Sequence, residues 1–357
     1  MSSVWNNKIS VSLFGEAQSP LVGVTVNNLP SGEYIDISKI KKFMARLENS
    51  NLYETLTPHI ISGLFNSRTT GTPLCAFIQN LQQYTSSAKN NHLARAGHAD
   101  YTGAVRYRGF NDVRDGGHFS DRLTLPLSFA GAICGQILER RGIYTGVHIS
   151  RIHNVKDNPF NPVKISREDI INIRNKNIPV INDLKGSMMI KEIDDISNTG
   201  DSLGGVIECV IINVPAGIGS PVFDGLQNTI SQLIFALPLV TGIEFGTGFK
   251  SAEMTGSKWN DDFYIDSHNH VLTKTNNHGG ILGGISSGMP IIFKVAFRPN
   301  PSLSKPNKAI DLQEMTTADY QTSQNYTPCT VLKAIPAVEA IANIAILTHM
   351  LDYPNFC

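Results

Sequence analysis

The sequence predicts a mixed α/β fold of the α+β type, because short apolar runs typical of strands are interspersed with longer segments of helical periodicity. Most of the apolar runs end at glycine, proline or asparagine, which stop strands and form turns. With 41% hydrophobic and 17% charged residues over 357 positions, the chain can bury a large core. Its composition excludes an intrinsically disordered protein.

The predicted strands are alternating or continuous apolar runs at residues 9–14, 22–26, 74–78, 147–152, 206–214 and 291–297. The first predicted helix covers residues 36–47, where Ile37, Ile40, Met44 and Leu47 form one apolar stripe behind Asp36 as N-cap. Further helices are predicted at residues 125–139, 223–237 and 335–351.

No low-complexity linker divides the chain, so we predict a single domain over residues 1–357. Residues 154–185 are largely polar and contain Pro159, Pro162 and Pro179. We expect this segment to be an excursion from the core.

Charge and cysteine content exclude several classes of protein. The 30 basic and 30 acidic residues cancel, so nothing indicates nucleic-acid binding. Five cysteines, odd in number and without CxxC spacing, predict reduced core thiols with no disulfide framework and no metal site. We see no signal-peptide pattern and no apolar run of the ~18 residues that a membrane span needs, so we expect a cytoplasmic protein with no membrane partner.

A glycine-rich segment at residues 276–288, NNHGGILGGISSG, precedes the last predicted strand. Glycine lacks the Cβ atom that keeps a flat or anionic ligand away from the backbone, so the segment suits a phosphate or a ring system. Its spacing excludes the dinucleotide and P-loop motifs. A turn-rich loop with no ligand is the alternative. Arg298 and Ser302 follow the strand and offer a cation and a hydroxyl to a phosphate, unless Arg298 is a solvated surface residue.

A second segment, GHADYTGAVRYRGFNDVRDGGHFSDR at residues 97–122, combines two histidines, four arginines and a Gly-Gly pair. Clustered guanidinium groups on a glycine turn fit a polyanionic substrate, because they bind phosphate and carboxylate oxygens in bidentate fashion. His98 is of the residue type that acts as an acid near neutral pH. A hydrogen-bonded structural histidine is the alternative for His98.

The order and spacing of these motifs resemble the chorismate synthase family from end to end. The matching segments are GEAQSP (15–20), TTGTP (69–73), GHADYT (97–102), DVRDGGHFSDRLT (112–124), PAGIGSPVFDGL (215–226), GIEFGTGF (242–249), GGILGGISSG (279–288), RPNPSL (298–303), and NYTPC with AIPAVEA (325–340). Matches that are this long and in this order are specific for a fold.

The resemblance implies a β-α-β sandwich of antiparallel sheets flanked by helices, in a homotetramer. It implies reduced FMN as the cofactor. The reaction would be the anti 1,4-elimination of phosphate from 5-enolpyruvylshikimate 3-phosphate, which gives chorismate in the shikimate pathway of aromatic amino acid biosynthesis without net redox change. The protein's task would be to exclude water and to stabilise the leaving phosphate.

The resemblance also implies site residues, and no metal ligand is among them. His98 and Asp100 match the catalytic G-H-A-D motif. Cofactor positions are matched by Ser120, Gly283, Arg298, Pro299 and Ser302, and substrate positions by Arg114, Gly116, Gly117 and Arg122.

Several family positions are substituted. Gln18 stands where the family has a second catalytic histidine, His118 replaces an arginine, and Asn325 and Thr327 replace an arginine and an aspartate. The arginine-rich loop after the first helix is shortened to RLENS (46–50). Glutamine cannot transfer a proton, and general acid catalysis contributes about 10²–10⁴-fold. The alternative function is therefore a catalytically impaired paralogue that binds flavin or a phosphate ligand without turnover, and His118 is the candidate replacement acid.

Overall fold

A layer of helices lies between two antiparallel five-stranded sheets in the computed structural model of the protein. The structure describes residues 3–47, 57–80, 92–321 and 326–353. The predicted α+β fold and the β-α-β sandwich are confirmed, with the main helices packed between the sheets.

The strands of the described residues, numbered in chain order, are β1 (Val4–Asn6), β2 (Ser10–Gly15), β3 (Leu21–Asn27), β4 (His59–Ser62), β5 (Leu64–Phe65), β6 (Arg68–Thr69), β7 (Leu74–Gln79), β8 (Leu93–Arg95), β9 (Tyr144–Ile152), β10 (Val155–Lys156), β11 (Gly205–Ile212), β12 (Val240–Phe245), β13 (Phe263–Ile265), β14 (Val271–Thr273), β15 (Ile281–Leu282), β16 (Ile285–Ser286), β17 (Ile291–Phe297), β18 (Asn307–Asp311) and β19 (Thr316–Tyr320). The helices are α1 (Ile37–Met44), α2 (Asp100–Tyr107), α3 (Thr124–Glu139), α4 (Arg167–Arg174), α5 (Asp183–Ser197), α6 (Leu226–Ile234), α7 (Gly256–Trp259) and α8 (Val331–Met350).

The first sheet has the order β1-β2-β3-β7-β4 and the second has the order β10-β9-β11-β17-β12. Their central pairs are in regular antiparallel register, with Val24 opposite Ala76 and Cys209 opposite Phe293. A smaller sheet of order β19-β18-β8 fixes the start of the 97–122 segment, because Arg95 of β8 pairs with Ala309 of β18.

The strands predicted from apolar runs are confirmed as β2, β3, β7, β9, β11 and β17, with small shifts at their ends. The helix predicted at 36–47 is confirmed as α1 followed by a 3₁₀ turn, and the Asp36 carboxylate accepts the N–H of Ser38 at 2.9 Å as the predicted N-cap. The helix predicted at 223–237 begins only at Leu226. Its first turn was predicted wrongly because Val222 has φ 62° and Gly225 is extended, which starts the helix at the next residue.

A buried charged cluster fastens residues 154–185 to the outer face of the second sheet. His148 lies between two carboxylates, with Nδ1 3.1 Å from Asp157 Oδ2 and Nε2 2.8 Å from Glu208 Oε2. Burial opposes a charged imidazole, but the hydrogen bonds and charges of the two carboxylates outweigh it and raise the pKa of His148. The N–H of Phe160 donates to Glu208 at 2.9 Å, so the segment after β10 is bound to this cluster.

By length and composition, the helix α8 is long and apolar enough to cross a membrane. However, 83% of its apolar 18-residue stretch is buried inside the protein. We therefore assign it as the core helix. The predicted reduced core thiols are confirmed for Cys134, Cys209 and Cys329, which are buried and free, while Cys75 is free and half-buried. Cys357 lies outside the described residues.

The helices α3 and α8 approach so closely that only glycine fits at two positions of α3. A Cβ atom on Gly131 would lie 2.2 Å from the Cβ of Ala340, and one on Gly135 would lie 2.6 Å from the side-chain amide nitrogen of Asn343. The residue numbers of the contact partners increase together, from Gly131 with Ala340 to Gly135 with Asn343, so the two helices run parallel. Their N-termini therefore lie at the same end of the helical layer.

We predict that Gly131→Ala destabilises the protein by about 1–3 kcal/mol, because the added methyl group overpacks this contact. Helix propensity alone would make alanine more stabilising than glycine by about 1 kcal/mol, so the expected destabilisation is opposite to the effect of helix propensity. Gly256→Ala is the matched control, since a Cβ there meets no atom within 4 Å. Urea denaturation midpoints measure both changes, and a Gly131→Ala protein as stable as the parent would contradict the close helix contact.

Candidate active site

A cavity of about 600 Å³ opens where α3 and α8 begin. Its volume is in the range of pockets that hold a cofactor or a drug-sized ligand. The lining combines apolar side chains of residues 235–239 and of α3 with polar and charged side chains from the loops that follow β8 and β17 and precede α3.

Two long helices present their N-termini to this cavity. Thr124 is the first residue of α3, Thr330 is the N-cap of α8, and both residues line the cavity. The N–H groups of a first helical turn have no partner within the helix and form the positive end of its dipole, so they attract anions. The buried Oγ1 of Thr330 makes no hydrogen bond with any described atom. This end of the cavity fits a ligand oxygen.

His98 lies on the loop between β8 and α2, and it lines the cavity. Its Nδ1 is 3.1 Å from the carbonyl oxygen of Ala96, which can only accept, so Nδ1 carries the proton of the neutral ring. Its Nε2 then accepts from the Ser302 hydroxyl at 3.0 Å. Burial lowers the pKa of His98, and the charges of Arg95 and Arg298 lower it further. The imidazole is therefore neutral at pH 7.

Asp100 holds Arg95 on the cavity wall beside His98. The Arg95 guanidinium donates to both carboxylate oxygens of Asp100, at 2.7 Å from Nε and 3.0 Å from Nη2. Burial opposes ionisation of Asp100, but its hydrogen bonds and charge pairing with Arg95 outweigh it and lower the pKa of the carboxyl group. Asp100 is an ionised carboxylate whose observed contacts orient Arg95.

The turn after β17 carries Arg298 and Ser302 to the same wall. The Arg298 guanidinium donates to the carbonyl of Gly97 at 2.8 Å, and Asn300 Oδ1 accepts the N–H of Ser302 at 3.1 Å. Gly97 has φ 74°, and a Cβ there would lie 2.7 Å from the Cβ of Pro301. The glycine of the GHADYT motif therefore allows the His98 loop to pack against the turn that carries Arg298.

The loop before α3 brings a second histidine to the cavity. Gly117 has φ 52°, and a Cβ there would lie 1.9 Å from the Asp112 carbonyl oxygen, so the tight loop requires glycine. Gly116, His118 and Ser120 all line the cavity. Through Nδ1 the His118 ring is 2.9 Å from the carbonyl oxygen of Gly15.

Some of the predicted site residues lie away from the described cavity lining. Arg114 is half-exposed and pairs with Asp112 at 2.6 Å, and Arg122 donates to Asn80 Oδ1 at 2.8 Å. Their contacts hold the loop before α3, and neither residue lines the cavity. Gly117 is buried behind the loop, and Pro299 packs near Gly204. Gly283 lies at the turn between β15 and β16 with φ 60°, where a Cβ would meet no atom within 4 Å.

The substituted positions have local partners where the structure describes them. Gln18 is buried outside the cavity lining, and its side-chain amide donates to the Asp115 carboxylate. The carbonyl of Thr327 accepts from the Asn300 side chain at 3.2 Å. Asn325 and residues 48–50 of the shortened loop lie outside the described residues.

Arg95, Thr330 and the apolar segment 235–239 are among the contributions to the cavity that could not be predicted from the sequence motifs. The position of Arg95 two residues before Gly97 was a usable signal, because an arginine beside a histidine loop fits the same anion. No local sequence pattern identifies Thr330 or residues 235–239 as part of the cavity, since they reach it only through the packing of α6 and α8.

The described lining therefore joins a neutral imidazole, the two arginines Arg95 and Arg298, and two helix N-termini with an apolar wall. Cations and helix N-termini stabilise an anion, and a neutral imidazole with a hydroxyl partner can receive or relay a proton. The apolar wall lowers the local dielectric constant and excludes water. This arrangement suits chemistry on an anionic ligand that also has a flat apolar part.

A scan against protein families matches residues 9–351 to the model described as chorismate synthase. The chain is 37% identical over 349 residues to the chorismate synthase of Thermococcus kodakarensis, covering 96% of each chain. It is also 37% identical over 360 residues to that of Dehalococcoides mccartyi, covering 97% of this chain and 96% of the relative.

A crystal structure of chorismate synthase superposes with a TM-score of 0.77 at 22% identity, covering 97% of this chain and 93% of that one, and so supports the fold. The match to the family model and the similarity to curated relatives extend over nearly the whole chain. The protein therefore belongs to the chorismate synthase family of lyases.

Proposed function

We propose that this protein catalyses the anti 1,4-elimination of phosphate from 5-enolpyruvylshikimate 3-phosphate to give chorismate, with reduced FMN as cofactor. The observation that carries the proposal is the position of His98, hydrogen-bonded to Ser302 between Arg95 and Arg298, in a cavity onto which α3 and α8 open. An anionic substrate needs the cationic side of this cavity, and a flat cofactor needs its apolar side.

The residues present fit a flavin mononucleotide. Apolar side chains such as Leu127, Leu237 and Leu239 line the cavity and suit the ring system. The unpartnered Oγ1 of Thr330 and the Arg298 guanidinium suit anionic oxygens. When bound, the reduced flavin supplies electron density to the allylic system and takes up the ring proton.

Among the predicted cofactor residues, Ser120, Arg298 and Ser302 share the cavity, and this supports their role. Pro299 would act by shaping the turn between Arg298 and Ser302. The cofactor role of Gly283, on the hairpin outside the cavity lining, stays a prediction that rests on the family resemblance alone.

The predicted substrate residues divide into two groups. Gly116 lines the cavity and leaves room for a ligand, because an added Cβ there meets no atom within 4 Å. Arg114, Gly117 and Arg122 would act by holding the loop before α3, since their contacts are made inside that loop or with Asn80.

His98 is suited to proton transfer near the flavin. Its Nδ1–H is fixed on a backbone carbonyl, so Nε2 is the nitrogen that exchanges a proton with the cavity through Ser302. Asp100 was predicted as catalytic, and its pairing with Arg95 supports a positioning role. Since the pKa of His98 is lowered, the neutral ring is available across the neutral range.

We also propose a cytoplasmic homotetramer. Large apolar side chains are exposed in both halves of the chain, with Phe110 and Phe223 at 91% and Phe249 at 85% of full exposure. Such side chains are typical of protein interfaces. The alternative of a binding paralogue without turnover is not favoured, because the identity to curated chorismate synthases reaches 38% and the His98 wall of the cavity is intact.

We expect the purified protein to form chorismate when mixed under reducing conditions with FMN and 5-enolpyruvylshikimate 3-phosphate. Chorismate is followed by its ultraviolet absorption. A flavin spectral shift without product would instead establish the binding paralogue, and neither signal would remove the flavin assignment.

We expect His98→Ala to lower kcat by about 10²-fold or more, because it removes the proton relay at Ser302. His153→Ala is the control, since His153 pairs with Glu192 outside the cavity lining. Unchanged turnover in a folded His98→Ala protein would show that His98 has only a structural role.

We also expect the pKa of His98 to rise in Arg298→Gln, because this variant removes a positive charge that disfavours the imidazolium. Histidine-selective NMR titration measures the midpoint, which should lie below about 6.5 in the parent protein. A midpoint that is unaffected by Arg298→Gln would contradict the electrostatic coupling of the two side chains.

A further inference from the structure

The cavity contains a second histidine, His118, in addition to His98. It lines the cavity with His98 but comes from a different element, the loop before α3. The elimination has two ends, one where a proton leaves the ring and one where phosphate leaves it. His98 accounts for one proton-handling group, and the departing phosphate needs another.

The backbone holds His118 in one orientation. Its Nδ1 is 2.9 Å from the Gly15 carbonyl oxygen, which can only accept, so Nδ1 carries a proton and Nε2 is left for the cavity. The N–H of Ala17 also donates to the Gly117 carbonyl at 3.0 Å, and this bond ties the 15–20 turn to the loop of His118. Two hydrogen bonds, one from the His118 ring and one from the Ala17 N–H, therefore join the 15–20 turn to the loop that carries His118.

The neighbouring glutamine cannot take the same role. Gln18 belongs to this turn, but its side chain is buried and its amide donates to Asp115. The Nε2 of His118 instead contacts the hydroxyl of Ser3, which also lines the cavity. A ligand oxygen can replace that hydroxyl without leaving the ring unpaired.

Charged side chains lie on both of the segments that hold His118. The carboxylate of Glu16, on the turn after β2, interacts electrostatically with His118, while Asp112, Arg114 and Asp115 are the other charged groups on the two joined segments. An imidazolium here would donate from Nδ1 to Gly15 and from Nε2 into the cavity.

We infer that His118 is the general acid that protonates the departing phosphate, an inference that rests on the proposed function. In this step the allylic C–O bond breaks, both of its electrons leave with the phosphate, and the Nε2 proton of His118 goes to a phosphate oxygen. On the other side of the substrate ring a C–H bond breaks, its electron pair forms the new double bond, and the reduced flavin, when bound, would accept the proton. His118 then regains a proton from solvent.

Two variants separate charge from proton transfer. His118→Arg keeps a cation that binds phosphate but holds its proton too tightly to transfer it, so we expect kcat to fall by about 10²-fold or more with KM little changed. His118→Ala should lower kcat similarly and also raise KM. His153→Ala is again the control. A His118→Arg protein with the parent kcat would overturn the inference.

A binding measurement keeps this inference distinct from the proposed function. In histidine-selective NMR spectra of the full-length protein, inorganic phosphate should shift the ring signals of His118 and leave those of His153 in place, whereas sodium chloride at equal ionic strength should shift neither. Absence of chorismate in the parent protein would defeat the proposed function alone. A His118 signal that ignores phosphate would defeat the inference alone.

Discussion

The close parallel contact between α3 and α8 is the constraint on which the site depends. Because Gly131 and Gly135 have no Cβ atom, the backbones of the two helices can approach closely at these positions. Parallel packing then brings both helix N-termini, at Thr124 and Thr330, to one end of the layer. The dipoles of the two helices create a positive field in an apolar cavity, where it acts most strongly on an anion.

Around this field, the charged side chains are oriented by partners inside the protein. Arg95 is held by Asp100 and Arg298 is held by the carbonyl of Gly97. Such preorganised donors stabilise charge without reorganising during the reaction. Burial lowers the pKa of His98 and the charges of the same two arginines lower it further, so the electrostatics of binding and of proton transfer share the same residues.

The sequence predicted the large elements and the first histidine, whereas two of the predicted substrate residues, Arg114 and Arg122, do not line the described cavity. Strands such as β17 could be predicted because a buried strand is apolar at nearly every position. His98 could be predicted because its motif is compact. Arg114 and Arg122 were predicted as substrate residues from the density of arginines and from the family resemblance, and the structure pairs them with Asp112 and Asn80. Thr330 could not be found, since its role arises from the packing of α8.

The most direct test of the account is a structure of the protein with FMN and 5-enolpyruvylshikimate 3-phosphate bound. We predict that both ligands lie in the cavity where α3 and α8 begin, with the flavin ring against residues 235–239 and His98 beside it. We also predict that an anionic oxygen accepts a hydrogen bond from Thr330 Oγ1. A flavin bound away from the N-termini of α3 and α8 would contradict the account.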